Sequence, residues 1–292
     1  MNKDVNYYKE QLNAKEEMLS QTTRFLVSTQ KQLEKKNKDL REINQEIFDS
    51  IEFASLIQKS LLPDLNILKI FFKDAAYRVI QQIGIGGDNV FVKNTNKGVM
   101  FGLLDSTGHG IPAALLSISG TVILKELIYS MELNCPKSLL QLLNQQLHNT
   151  FNDAGSHKLA QMEGIIFHYH SAEKKLTYCS AKGKAIHLKH NGEIINLETT
   201  KRSVGEDTNT IFSLFELPAE PGDKLLIYSD GLQDQFGGTE NKKFSRLRLK
   251  GLLESGAGKP AKVLAEFIEN EFKNWKGTNT QTDDVSFIII DF

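Results

Sequence analysis

Cysteine is scarce in this sequence. Only Cys135 and Cys179 occur among its 292 residues, too few for a disulfide scaffold or a thiolate zinc site. Neither sign of charge predominates: 35 basic residues face 36 acidic ones, and a net charge of −1 offers no global attraction to nucleic acid or a membrane surface. The N-terminus lacks the apolar core of a signal peptide. The longest unbroken apolar runs, such as Phe287 to Ile290, have the length of a strand rather than of a membrane span. What remains, 40% hydrophobic and 24% charged residues, is an ordinary globular composition, expected in the cytoplasm.

One absence is local. Residues 1 to 60 contain no Gly and no Pro, and their ten basic and ten acidic residues are scattered rather than blocked, which suits a long solvated helix. Leucine recurs every seven positions at Leu12, Leu19, Leu26, Leu33 and Leu40, and the register continues through Ile47, Ala54 and Leu61. With these as d positions, the a positions are Glu16, Thr23, Gln30, Asn37, Asn44, Ile51 and Gln58, a mostly polar seam. A narrow apolar stripe with Asn at a predicts a weak coiled-coil homodimer, and a second domain is expected to begin near Pro63. The expected division is a coiled-coil dimerisation and signalling helix over 1–62 and a catalytic domain over 63–292.

Beyond Pro63 the periodicity turns mixed. Strands are expected at 72–83, 89–94, 97–105, 164–169, 174–180, 184–189, 193–197, 224–229 and 285–291, with helices at 112–129, 137–151, 245–255 and 259–275. Pro112 suits a first helical turn and Asn191-Gly192 a tight hairpin. That order predicts an α+β fold of antiparallel sheets covered by helices.

Four aspartates stand in short, mostly glycine-edged contexts at strand edges: Gly86-Gly87-Asp88, Asp105-Ser106-Thr107-Gly108-His109-Gly110, Ser229-Asp230-Gly231 and Thr282-Asp283-Asp284. Glycine lets backbone or solvent approach closely, and hard divalent cations favour all-oxygen cages. The set reads as a two-metal hydrolase site. In one arrangement Asp105 bridges two ions, Asp88 completes one side, Asp230 and Asp283 the other, and the Ser106 carbonyl is an extra ligand. Two such ions activate water and neutralise charge on a phosphoryl group, which suits the slow hydrolysis of phosphate monoesters. His109, just before the Pro112 helix, is the candidate proton donor to the leaving oxygen. Any one motif alone is more commonly an Asp–Gly turn than a metal ligand.

The order and context of all four motifs resemble the metal-dependent protein phosphatases of the PPM (type 2C) family, in particular its SpoIIE-like bacterial branch. Ile57-Gln58-Lys59-Ser60-Leu61-Leu62-Pro63 is similar to that branch's lead-in, and Asp234-Gln235-Phe236-Gly237-Gly238 with Lys242-Lys243-Phe244 resembles a loop after its Ser-Asp-Gly motif. The resemblance covers about residues 50 to 292. It implies two packed β-sheets flanked by helices, two Mn2+ or Mg2+ ions, and removal of phosphate from Ser or Thr of a partner protein, often a small regulator in a bacterial signalling or partner-switching pathway. The sequence departs from the family at Asn89-Val90, where aromatics are usual, at Leu104, where glycine is common, and at Ala181-Lys182-Gly183-Lys184, usually a small-residue turn. His109 follows Asp105 by four residues rather than the wider family's two, so the proton-donor role does not carry over directly.

Competing readings fail on particular residues. Asn89-Val90 replaces the Glu-Phe of a diguanylate cyclase signature, Gly84-Ile85-Gly86-Gly87 lacks the rest of a nucleotide-binding loop, and His168 with His170 lacks a third zinc ligand. A different class of function stays open: a catalytically weak coiled-coil scaffold that binds a phosphoregulator. The heptads run almost directly into Ile57-Gln58, so a change of helix register is expected to reach the segment near the aspartates.

Overall fold

Strand side chains alternate between two faces, and in this chain both faces are apolar, which requires a cover on each side. The computed structural model describes residues 2–108, 110–152 and 160–292, with the side chains of 2–7, 65 and 152 outside that description. It resolves into two compact units, Met1–Phe53 and Ala54–Phe292. The described residues of the first are all helical, part of α1 (Asn2–Ser60), and the predicted d residues Leu12, Leu19, Leu26, Leu33, Leu40 and Ile47 are all exposed.

The second unit is a four-layer sandwich. One sheet has the order β1 (Asp74–Ile80), β12 (Val285–Asp291), β9 (Lys224–Tyr228), β6 (Lys184–Leu188) and β7 (Ile194–Asn196). The other runs β2 (Asp88–Thr95), β3 (Gly98–Ser106), β4 (Met162–His170), β5 (Lys175–Ala181) and β8 (Leu214–Leu217), and every pairing in both sheets is antiparallel. Val90, Val99, Phe101, Leu103, Ile165, Phe167, Leu225, Ile227, Ile288 and Ile290 form the core between the sheets. Met100, Leu104 and Ile166, on the opposite face of their sheet, pack under α2 (Ile111–Met131) and α3 (Pro136–Asn152). Leu226, Tyr228, Phe287 and Ile289 do the same under α5 (Arg246–Ser255) and α6 (Ala261–Lys276). The expected α+β architecture of two antiparallel sheets flanked by helices, after a long N-terminal helix, is the one observed.

An aromatic ladder pins the register of the second sheet. Phe101, Phe167, Tyr178 and Phe215 are cross-strand partners, and their rings stack at centroid distances of 5.4, 5.3 and 5.0 Å. Phe215 lies on β8, a strand with too few alternating residues to be expected from sequence. Also unexpected were a short 3-10 turn at Leu65–Ile70, the one-turn α4 (Asp230–Asp234) and the two-residue ladder of β10 (Phe236–Gly237) with β11 (Lys242–Lys243).

Helix α2 is long and apolar enough to cross a membrane, but half of its apolar window is buried within the domain. Lys125 and Glu126 interrupt it, which is why unbroken apolar runs missed it. The two cysteines are both free.

His168, fully buried on β4, bonds through Nε2 to the Thr95 hydroxyl at 2.9 Å and meets His170 edge to face, ring centroids 4.1 Å apart, while His170 reaches Thr177. One nitrogen of each ring is engaged by a threonine hydroxyl, His168 Nδ1 is buried without a partner, and no third ligand group converges on the pair among the described residues. Burial first, then the neighbouring His170, holds the His168 pKa down to about 4 from its ordinary 6.5. The folded state therefore binds fewer protons than the unfolded state between those values, so this contribution to stability is complete above pH 6.5 and is lost as pH falls to about 4. Urea unfolding at pH 7 and pH 5 should show wild type losing about 1–3 kcal/mol relative to His168→Gln over that interval. Parallel losses in the two proteins would refute the assignment.

Candidate active site

The strand alternation that builds the inter-sheet core also decides where the acidic motifs go. On β3, Val99, Phe101 and Leu103 face the opposing sheet, and Asp105 follows on the same face. Asp88 stands directly opposite Asp105 in the β2–β3 register, two residues before the inward-facing Val90. On β9, Leu225 and Ile227 point inward and Ser229 follows; on β12, Ile290 and Ile288 point inward and Ser286 and Asp284 precede them. Four strand ends thus bring polar groups to one end of the inter-sheet space, with Asp230 and Asp283 beside them.

Asp88 is buried, 2% exposed. Its Oδ2 accepts a hydrogen bond from the Ser229 hydroxyl at 2.7 Å, and Ser229 Oγ in turn accepts the Ser286 backbone N–H at 2.9 Å. Asp88 Oδ1 is buried with no hydrogen-bond partner. Burial raises the Asp88 pKa well above the carboxylate range, Asp284 and Asp283 add to the rise, and the Ser229 hydroxyl opposes it. Asp105 is shifted the same way, by burial and then by Asp88, Asp230 and Asp283, with Lys184 opposing. A buried carboxylate oxygen without a donor, among mutually repelling carboxylates, is a donor set suited to a hard cation.

Among the described residues, no three carboxylate, imidazole or thiol groups already converge on one point at ligating distance. Asp88 and Asp105 nonetheless face each other across β2 and β3, and the buried, partnerless Asp88 Oδ1 lets the residues fit a metal pair as a set that a cation would draw together. His109 lies outside the described residues. Gly108 and Gly110, on either side of it, have φ of 95° and 72°, conformations that glycine adopts without strain.

Several contributors were not evident from sequence. Asp284, next to the predicted ligand Asp283, is structural: its Oδ1 accepts the Gln82 N–H at 2.8 Å and its Oδ2 the Gly87 N–H at 2.7 Å, clamping the Gly86-Gly87-Asp88 loop. Asp283 Oδ1 accepts the Asp284 N–H at 2.8 Å. From the last turns of α1, Gln58 is buried; its Nε2 donates to the Gly86 carbonyl at 2.6 Å, and its Oε1 accepts the Gly86 N–H at 3.2 Å and the Gln81 amide at 2.6 Å. The motif that carries Asp88 is thus held from both sides. Heptad counting had placed Gln58 in a coiled-coil seam.

The departures from the family pattern acquire physical reasons. Asn89 is buried and its amide donates to Thr121 of α2. Leu104 pairs across the sheet with Gly164, where a Cβ would lie 2.4 Å from Leu104 Cδ2, so the missing glycine has a counterpart on the next strand. At Gly183 a Cβ would meet the Gly164 carbonyl carbon at 2.3 Å, and the flanking Lys182 and Lys184 both reach Glu163, at 3.5 and 3.7 Å.

Two antiparallel sheets packed face to face and flanked by helices are the architecture of the PP2C (PPM) phosphatase domains. The SiaA-PP2C domain of Pseudomonas aeruginosa matches with a TM-score of 0.78 at 23% identity, covering 86% of this chain and 98% of that one. RsbX in complex with magnesium matches with a TM-score of 0.53 at 20% identity over 74% of this chain and 92% of that one. The phosphatase domain of SpoIIE from Bacillus subtilis, solved with a fragment of its regulatory domain, matches at 0.61 and 12% identity over 75% and 63%. No functionally curated protein matches the sequence. The fold is therefore that of a PPM serine/threonine phosphatase, a hydrolase. The profile described as Stage II sporulation protein E (SpoIIE) matches residues 95–292, and the chain belongs to that family.

The clamp on the acidic loop is testable without metal. A Cβ at Gly86 would lie 2.2 Å from Asp284 Oδ2, so Gly86→Ala must break the carboxylate's bonds to Gly87 or Gln82. Urea unfolding should show a loss of about 2–4 kcal/mol. A loss below about 0.5 kcal/mol, the size of a neutral surface change, would mean that the clamp contributes nothing.

Proposed function

We propose that this chain is a metal-dependent phosphoprotein phosphatase that removes phosphate from serine or threonine of a small regulatory protein in a bacterial signalling pathway, acting in the cytoplasm as a homodimer. The observation that carries the reading is Asp88 facing Asp105 across β2 and β3 on the inter-sheet face, with Asp230 and Asp283 at the neighbouring strand ends, in a SpoIIE-family chain. Asp88, Asp105, Asp230, Asp283 and the Ser106 carbonyl would hold two Mn2+ or Mg2+ ions. When bound, such a pair activates water and neutralises charge on phosphoryl oxygens. Ser229 orients the Asp88 carboxylate, Asp284 and Gln58 hold its loop, and His109 is the proposed proton donor to the leaving oxygen. RsbX, of the same fold, was solved with magnesium, which supports a hard divalent ion here.

The experiment is manganese-dependent release of phosphate from an aryl phosphate by wild type, Asp105→Ala and Asp230→Ala. Each variant should lose at least about 100-fold of the turnover. Absence of turnover in wild type with manganese in excess and residues 1–50 removed would instead favour the scaffold that binds a phosphoregulator.

The exposed leucine stripe of α1 supports dimerisation with a second copy of the chain, because apolar side chains repeating every seven residues need a matching helix to leave water. Since Gln58 at the end of the same helix holds Gly86, we further propose that the stalk regulates the site. Deleting residues 1–50 should convert the dimer to a monomer in light scattering and change the specific activity. If neither quantity moves, the stalk has no part in regulation.

A further inference from the structure

Lys184 opens β6 opposite Tyr228, two residues before Asp230 on the neighbouring strand. Its ammonium lies 3.5 Å from Asp230 Oδ2 and 3.7 Å from Glu163 Oε2, with the side chain only 21% exposed. Glu163 in turn stands opposite Asp105 in the β3–β4 register. Lys182 also reaches Glu163, but its ammonium is held as well by the Ser203 hydroxyl at 2.8 Å and Glu206 at 3.6 Å. Glu163 therefore has two cations to satisfy it, and the Lys184 ammonium is left shared with a carboxylate of the catalytic set.

We infer that Lys184 is a tethered cation that competes with a divalent metal ion for Asp230 and so raises the metal concentration at which the site fills. The inference rests on the two-metal reading above. An ion ligated by Asp230 would come within a few ångströms of the ammonium in a half-buried setting, where repulsion between a divalent and a monovalent cation is strong. Filling the site then requires the ammonium to leave Asp230, and Glu163 is placed to receive it. This arrangement follows from the Lys182-Gly183-Lys184 segment of this chain: glycine at 183, just before β6, lets the backbone press against Gly164, next to Glu163 on β4.

Isothermal titration of the full-length protein with manganese chloride tests this independently of turnover. Wild type should bind two ions. In Lys184→Met and, in parallel, Lys184→Gln, the weaker of the two should bind about tenfold more tightly, because the competitor is gone. Lys184→Arg, which keeps the charge, should stay within about twofold of wild type. Unchanged or weaker manganese binding in whichever neutral variant melts cooperatively overturns the inference, as does an arginine variant that behaves like the neutral ones. A wild type that binds no manganese removes the two-metal reading itself, whereas two ions bound with unaltered affinity in the neutral variants removes only the role of Lys184.

Discussion

The strand period of two is the constraint on which the site depends. Each of β2, β3, β9 and β12 must send alternate side chains into the space between the sheets, because the other face is already committed to helices. At the end of the sandwich the inward positions continue but the apolar filling stops. The residues that fall there are Asp88, Asp105, Ser229 and Asp284. A slip of one residue in any of these strands would turn its polar end toward a helix layer, so the registers that hold the core also hold the site. The stacked ladder from Phe101 to Phe215 fastens one sheet, and unbroken antiparallel pairing of β12 with β1 and β9 fastens the other.

Gathering carboxylates at one end of a dry sandwich has an electrostatic cost, and the surrounding residues divide it among several devices. Ser229 supplies a hydroxyl to Asp88, backbone N–H groups occupy both oxygens of Asp284, and Lys184 stands beside Asp230. None of these satisfies Asp88 Oδ1. Burial without a donor is tolerable when the group is neutral or when a cation supplies the missing charge, which is why the same carboxyl groups are both protonation-prone and suited to divalent ions.

Much of this was legible in sequence where the signal is local. Glycine-edged aspartates after apolar alternation located the strand ends, and the long helix followed from the absence of Gly and Pro over residues 1–60. What sequence could not supply depends on distant partners. Thr282-Asp283-Asp284 offers two equivalent carboxylates, and only the N–H groups of Gln82 and Gly87, some two hundred residues away, make Asp284 the clamp. Leu104 read as a departure because its compensation, Gly164, sits on the facing strand. The strand carrying Phe215 is four residues long and has one buried position, too weak a pattern to recognise before its neighbour Tyr178 is placed.

Gln58 shows most clearly how one pattern can hide another. Counted in sevens it is one more polar a position, equivalent to Asn37 or Asn44. Those two are exposed, whereas Gln58 and its neighbour Ser55 are buried in the second unit. A primary amide has a donor and an acceptor at fixed separation, and Gln58 uses both on the backbone of Gly86, a residue with no side chain to offer. Gly86 in turn must be glycine because Asp284 fills the space where a Cβ would stand. Helix α1, the acidic loop and the end of β12 therefore meet at one residue with no atoms to spare, and a shift of Gln58 along or around its helix would break two hydrogen bonds two residues from Asp88.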